Sequence, residues 1–213
     1  EQYGEVFFSL GFSFVPNFVS LYDEGVGDEG LYSELTPPKS SGERWIGVAP
    51  FAKHKGKIYP LDCMEKVVSK LSEESRVKIF LFGSGDRERE ILSLWRERYP
   101  GVISLADKRY GFAVELSLMS RLDVMISMDS ANMHLASLVE VPVVSVWGAT
   151  HPYCGFLGWR QSDSGVVELP LDCRPCSVFG NKPCYRKDYA CLEIAPETIV
   201  DRVKSLETLI KEK

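Results

Sequence analysis

Four short stretches of the chain carry side chains whose types and spacing suit chemistry. Lys53-His54-Lys55-Gly56-Lys57 crowds cations into one turn. Gly83-Ser84-Gly85 leaves room for a backbone to approach a ligand closely. Asp129-Ser130-Ala131-Asn132-Met133-His134-Leu135-Ala136 puts a carboxylate, a hydroxyl and an imidazole where a polar turn leads from an apolar run into a helix. A helix starting there offers free N–H groups and the positive end of its dipole to whatever lies above it. A cationic loop, a glycine loop and a helix N-terminus together suit a diphosphate. Each stretch also has a plainer reading. Lysines solvate loops, glycines end many strands, Asp129 and Ser130 are ordinary N-cap residues worth ~1 kcal/mol, and His134 fits a core position. The fourth stretch is Cys173-x-x-Cys176 with Cys184 and Cys191, which resembles a structural zinc knuckle. Its second pair is spaced differently, so free thiols and a local disulfide stay open beside a metal.

The elements that must position these residues follow from periodicity. Short apolar runs at 45–49, 77–82, 102–105, 124–127, 141–147 and 166–169 read as strands. Between them, helical spacing predicts helices over 60–71, 86–98, 112–122 and 133–139, and a terminal helix over 196–211. The 6–10 run either ends a helix or forms a short strand. Alternating apolar strands and helices predict an α/β fold, a Rossmann-like parallel sheet with helices on both faces. The turns after the first, second and fourth strands then open on one edge of the sheet, where such folds bind ligands. Residues 1–43, with Gly25-Val26-Gly27-Asp28-Glu29-Gly30 and Pro37-Pro38-Lys39-Ser40-Ser41-Gly42, read as an inter-domain linker and the remnant of an N-terminal domain. Residues 44–213 read as the ligand-binding domain.

Composition narrows the classes. The 213 residues carry a net charge of -5, so bulk charge gives no means of neutralising nucleic-acid phosphates. No apolar run approaches the ~20 residues that span a bilayer, and no signal-peptide pattern is present. The chain begins at Glu1 rather than Met, which reads as a piece of a longer protein.

The residues also carry a resemblance. Asp129 to Ala136, Val141-Pro142-Val143-Val144 and Trp147-Gly148-Ala149-Thr150-His151-Pro152 resemble the C-terminal domain of glycosyltransferase family 9, the ADP-heptose:lipopolysaccharide heptosyltransferases. Lys57-Ile58-Tyr59-Pro60, Leu81 to Glu88, the four-cysteine stretch and Ile194-Ala195-Pro196-Glu197 are similar to that family too. The resemblance implies the C-terminal half of a GT-B glycosyltransferase, a nucleotide-sugar (donor) binding domain of lipopolysaccharide core biosynthesis.

Carried over by position, the donor-binding residues are Lys57, Gly83, Ser84, Gly85, Asp129, Ser130, Ala131 and His134. Lys57 and the amides after Asp129 would meet the diphosphate, with Asp129 near the sugar. Asp86 and Glu88 both fit the acid expected near the glycine turn. No cofactor and no metal are implied. The donor is ADP-heptose-like, and the lipopolysaccharide core or lipid A acceptor is met through the N-terminal domain. That domain also supplies the general base, so no catalytic residue is expected in this chain and the fragment alone should be inactive. The implied location is cytoplasmic, with the full-length protein peripheral at the inner membrane. The chain departs from the family pattern at Phe51 and Ala131, where glycines are usual. Two alternatives stand beside this reading: a non-catalytic α/β module with a zinc-binding cysteine tail, and another GT-B-like enzyme using a UDP- or GDP-sugar.

Overall fold

The structure, a computed structural model, describes residues 2–211; residue 1 and residues 212–213, the outer ends of the two expected segments, lie outside the described residues. Six strands form one sheet: β1 (Arg44–Ala49), β2 (Val77–Leu81), β3 (Val102–Ser104), β4 (Val124–Met128), β5 (Val143–Trp147) and β6 (Val166–Glu168). Their order is β3-β2-β1-β4-β5-β6, and every neighbouring pair is parallel. The helices are α1 (Gln2–Ser9), α2 (Leu61–Ser72), α3 (Asp86–Arg98), α4 (Phe112–Met119), α5 (Ala131–Leu138) and α6 (Pro196–Lys211). The strand order reverses between β1 and β4. Connections leave these two strands toward opposite sides, which opens a crevice at their carboxyl ends.

The period of two along each strand divides the core between the faces of the sheet. Ile46, Val48, Ile79, Leu81, Ile126 and Val146 point to one face, covered by α2, α3 and α6. Trp45, Ala49, Phe80, Phe82, Met125 and Trp147 point to the other, covered by α4, α5 and Tyr32. On α2, Met64, Val67, Val68 and Leu71 fall on one helical stripe and are fully buried. Truncating Leu71 to alanine should therefore cost ~2–5 kcal/mol.

Local chemistry sets the boundaries that differ from periodicity. The 6–10 run belongs to a helix, α1. The expected helix over 112–122 stops at Met119, and Leu122 N–H turns back to Met119 O at 2.9 Å. The Asp123 carboxylate then accepts from Trp45 N–H at 2.6 Å and starts the next strand in register. Helix α5 begins at Ala131, two residues ahead of the apolar pattern, because the polar turn itself has helical geometry. Residues 21–32 lie against α4 and α5. Leu21 N–H donates to Leu138 O (2.8 Å), Gly27 N–H to Ser120 Oγ (2.8 Å), and Ser117 Oγ to Asp28 O (2.6 Å). Before them, Phe7, Phe8, Phe12, Phe14 and Val15 are exposed. No described helix is long and apolar enough to cross a membrane.

Candidate functional site

The loop after β1 is fixed by two glycines. Gly56 lies in a short 3-10 turn (Lys55–Lys57), and its carbonyl accepts from Ala149 N–H at 2.8 Å. The opposing Gly148 permits this approach, since a Cβ there would sit 2.4 Å from Gly56 O. The turn thus delivers Lys57 from the end of β1 to the end of β4. Gly180, at φ +69°, packs on the Lys57 stem; a Cβ there would lie 2.7 Å from Lys57 Cδ. Lys57 Nζ reaches Asp129 Oδ2 at 2.9 Å, and Thr150 Oγ1 donates to the same oxygen at 2.7 Å. The Asp129 side chain is only 5% exposed, so its charge depends on these two partners.

Ser130 is the N-cap residue of α5, but its side chain makes no cap hydrogen bond. Its hydroxyl lies instead 3.3 Å from Ser127 Oγ. The first amides of α5, at Ala131 and Asn132, therefore keep their donors for a ligand. His134 sits one turn further on. Burial pushes its imidazole below the ordinary histidine range; Asp129 pulls it back up, and Lys57 adds to the depression. The net effect favours the neutral ring.

A cavity of about 720 Å³ joins these groups. Of the residues expected from sequence, Lys57, Gly83, Ser84, Asp129, Ser130, Ala131 and His134 line it. Gly85 does not. It is the N-cap residue of α3, at φ +81°, and lines an adjoining cavity of about 710 Å³. Asp86 and Glu88 separate as well. Asp86 points outward and pairs with Arg89. Glu88 lines the main cavity and accepts the Ser84 N–H at 2.8 Å.

Sequence reasoning missed Thr150, Phe112, Glu115, Phe156 and Phe179. Thr150 follows the carboxyl end of β5, so the rule that collects such turns on one edge could have found it. Phe156 and Phe179 line the cavity as a tilted pair with ring centroids 5.6 Å apart. Nothing local marks them. The cysteine-bearing tail supports the same loops. Arg174, with a side chain 2% exposed, donates to Gly148 O (2.5 Å) and Thr150 O (2.8 Å) and pairs with Glu168 (2.7 Å). All six cysteines are free thiols, and burial pushes Cys191 up to about 11, with the neighbouring Cys176 adding to the shift. Among the described residues no three His, Cys, Asp or Glu side chains come together in a way that could hold a metal ion.

Residues 28–184 match the family described as glycosyltransferase family 9 (heptosyltransferase). Lipooligosaccharide heptosyltransferase 2 of Campylobacter jejuni subsp. jejuni serotype O:6 is 25% identical over 172 residues, 79% of this chain and 53% of that protein. The ADP-heptose lps heptosyltransferase II of E. coli shares the fold with a TM-score of 0.63 at 20% identity, covering 86% of this chain and 53% of that one. The E. coli heptosyltransferase WaaC with ADP-2-deoxy-2-fluoro heptose superposes with a TM-score of 0.62 at 18% identity, covering 93% and 52%. The chain spans about half the length of the relatives it matches.

Proposed function

The chain belongs to glycosyltransferase family 9, and we propose that it binds the nucleotide-sugar donor of a heptosyl transfer in the crevice between β1 and β4. The observation that carries this is the Lys57–Asp129–Thr150 network set beside the uncapped start of α5. When a glycosidic bond to a nucleoside diphosphate breaks, negative charge builds on the leaving phosphate oxygens. Lys57 and the Ala131 and Asn132 amides are already oriented to receive that charge, so little reorganisation is needed in the transition state. Asp129 holds Lys57 in place and lies at the sugar end. Glu88 keeps one carboxylate oxygen for the ribose hydroxyls. Names of the similar proteins support ADP-heptose as the donor and a lipooligosaccharide or lipopolysaccharide as the acceptor.

In this reading residues 44–213 are the donor domain and residues 1–43 its connection to the rest of the enzyme. The base that deprotonates the acceptor hydroxyl comes from the part of the enzyme that relatives have beyond this span. The reaction takes place on the cytoplasmic side, at the inner membrane. Calorimetric titration of the folded chain with ADP tests the proposal. Saturable binding of one ADP per chain supports it, and absence of heat with a well-folded sample at millimolar nucleotide overturns it.

A further inference from the structure

We propose that Glu115 reads the donor's nucleobase and selects adenine through its exocyclic amine. The proposal rests on the donor-binding reading above. Glu115 lies on α4 at the junction of the two cavities, which share Gly83, Ser84, Leu105, Phe112 and Glu115 as walls. Among the described residues its carboxylate has no ion pair and no hydrogen bond. Burial lifts it above the ordinary glutamate range, and no neighbouring charge offsets the shift. The neighbouring Lys108 is engaged elsewhere, 2.7 Å from Glu34 and over the Tyr110 ring. A half-buried acceptor on the wall of a ligand cavity, reached by solvent but held by no protein donor, is free to take a donor from the ligand.

The surroundings fit a base. Leu105 and Phe82 are buried at 3% and 2% exposure and form an apolar floor. Phe112 is 67% exposed over the same mouth, a free aromatic face of the kind on which bases stack. In the strand order β3-β2-β1-β4, three spacings separate Leu105, just after β3, from Asp129, just after β4, roughly 14 Å. That is comparable to the reach of an extended nucleoside diphosphate from base to outer phosphate. With phosphates at Lys57 and α5, the base falls at Phe112 and Glu115.

A carboxylate accepts from the adenine N6 amine. A base carrying a carbonyl at that place sets oxygen against oxygen, which costs both the lost hydrogen bond and the desolvation of Glu115.

The test compares ADP, inosine diphosphate and 2′-deoxy-ADP by calorimetry. Inosine diphosphate presents a carbonyl where ADP presents the amine. The unsubstituted chain should prefer ADP over inosine diphosphate by at least ~10-fold. Glu115→Gln should bring that ratio close to one, because the amide can rotate its NH2 toward the carbonyl. Phe112→Ala should weaken both nucleotides alike and leave the ratio unchanged. An ADP-to-inosine-diphosphate ratio that stays the same in Glu115→Gln overturns the proposal. So does a Glu115→Gln loss that falls equally on ADP and inosine diphosphate and vanishes with 2′-deoxy-ADP, which would place the carboxylate on the ribose instead. If ADP binds and depends on Lys57 while the ratio ignores Glu115, only this inference falls; if no nucleotide binds at all, the donor reading falls with it.

Discussion

At the β1–β4 end of the crevice Lys57 and Asp129 are already paired, whereas at the β2–β3 end Glu115 has no partner among the described residues. Lys57, Asp129 and Thr150 form a closed network at 2.9 and 2.7 Å, under a helix start whose amides stay free. Glu115 stands half-buried with no partner among the described residues, beside an exposed Phe112. The first end is organised before any ligand arrives, so it favours developing charge without reorganising. The second end stays incomplete until a hydrogen-bond donor fills it, which suits discrimination between ligands rather than general affinity. On the proposed reading, charge stabilisation and nucleobase choice fall on different strands of one sheet.

The largest expected effect falls on the closed end. Lys57→Ala removes a charged phosphate partner and leaves Asp129 with Thr150 alone. ADP affinity should drop ~10- to 100-fold, matching a charged hydrogen bond worth ~1.5–3 kcal/mol, with a lowered Tm in the same sample. Unchanged affinity in calorimetry would show that the phosphates lie elsewhere. At the open end, Glu115→Gln should change the choice between nucleotides by ~10-fold and not lower the Tm, because it removes a half-buried charge with no protein partner. A fall in Tm would mean Glu115 has a structural partner and would erase the contrast.

Thr150→Val tests whether the closed network acts as a unit. It deletes the 2.7 Å hydrogen bond to Asp129, so urea unfolding should show a loss of ~1–3 kcal/mol, with a few-fold weaker ADP binding. His134 gives the smallest effect. Its native pKa lies below the unfolded value of 6.5, and burial is the main cause. The unfolded chain therefore takes up its proton first, and stability falls as pH drops through about 6.5. His134→Gln should flatten that part of the profile between pH 7.5 and 5.5. An unaltered slope would show that the imidazole titrates freely.

The closed end was largely legible in the sequence. Parallel strands place the turns after them on one edge, so periodicity brings together the turns that carry Lys57, Gly83 and Asp129, and the family resemblance singles out Lys57 within its turn. Gly85 differs from its neighbours, because its positive φ puts it at the start of α3, on the adjoining cavity rather than the main one. The choice between Asp86 and Glu88 needed the geometry of that first helical turn. Glu115 was not legible. In sequence it is one polar residue among apolar ones on a short helix, like any solvated position. Only the packing of α4 beside Leu105 and the glycine turn buries it. Phe179 and Gly180 come from an irregular stretch with no period to read, and their contact with the site depends on Arg174 fastening that stretch to β5.

Backbone NMR of the chain during ADP titration tests the central claim most directly. The account predicts the strongest saturable shifts at the Ala131 and Asn132 amides, with further shifts at Gly83, Ser84 and Phe112 and the same pattern much weakened in Lys57→Ala. Saturable shifts that leave the start of α5 unmoved, or that ignore the Lys57 substitution, would contradict it.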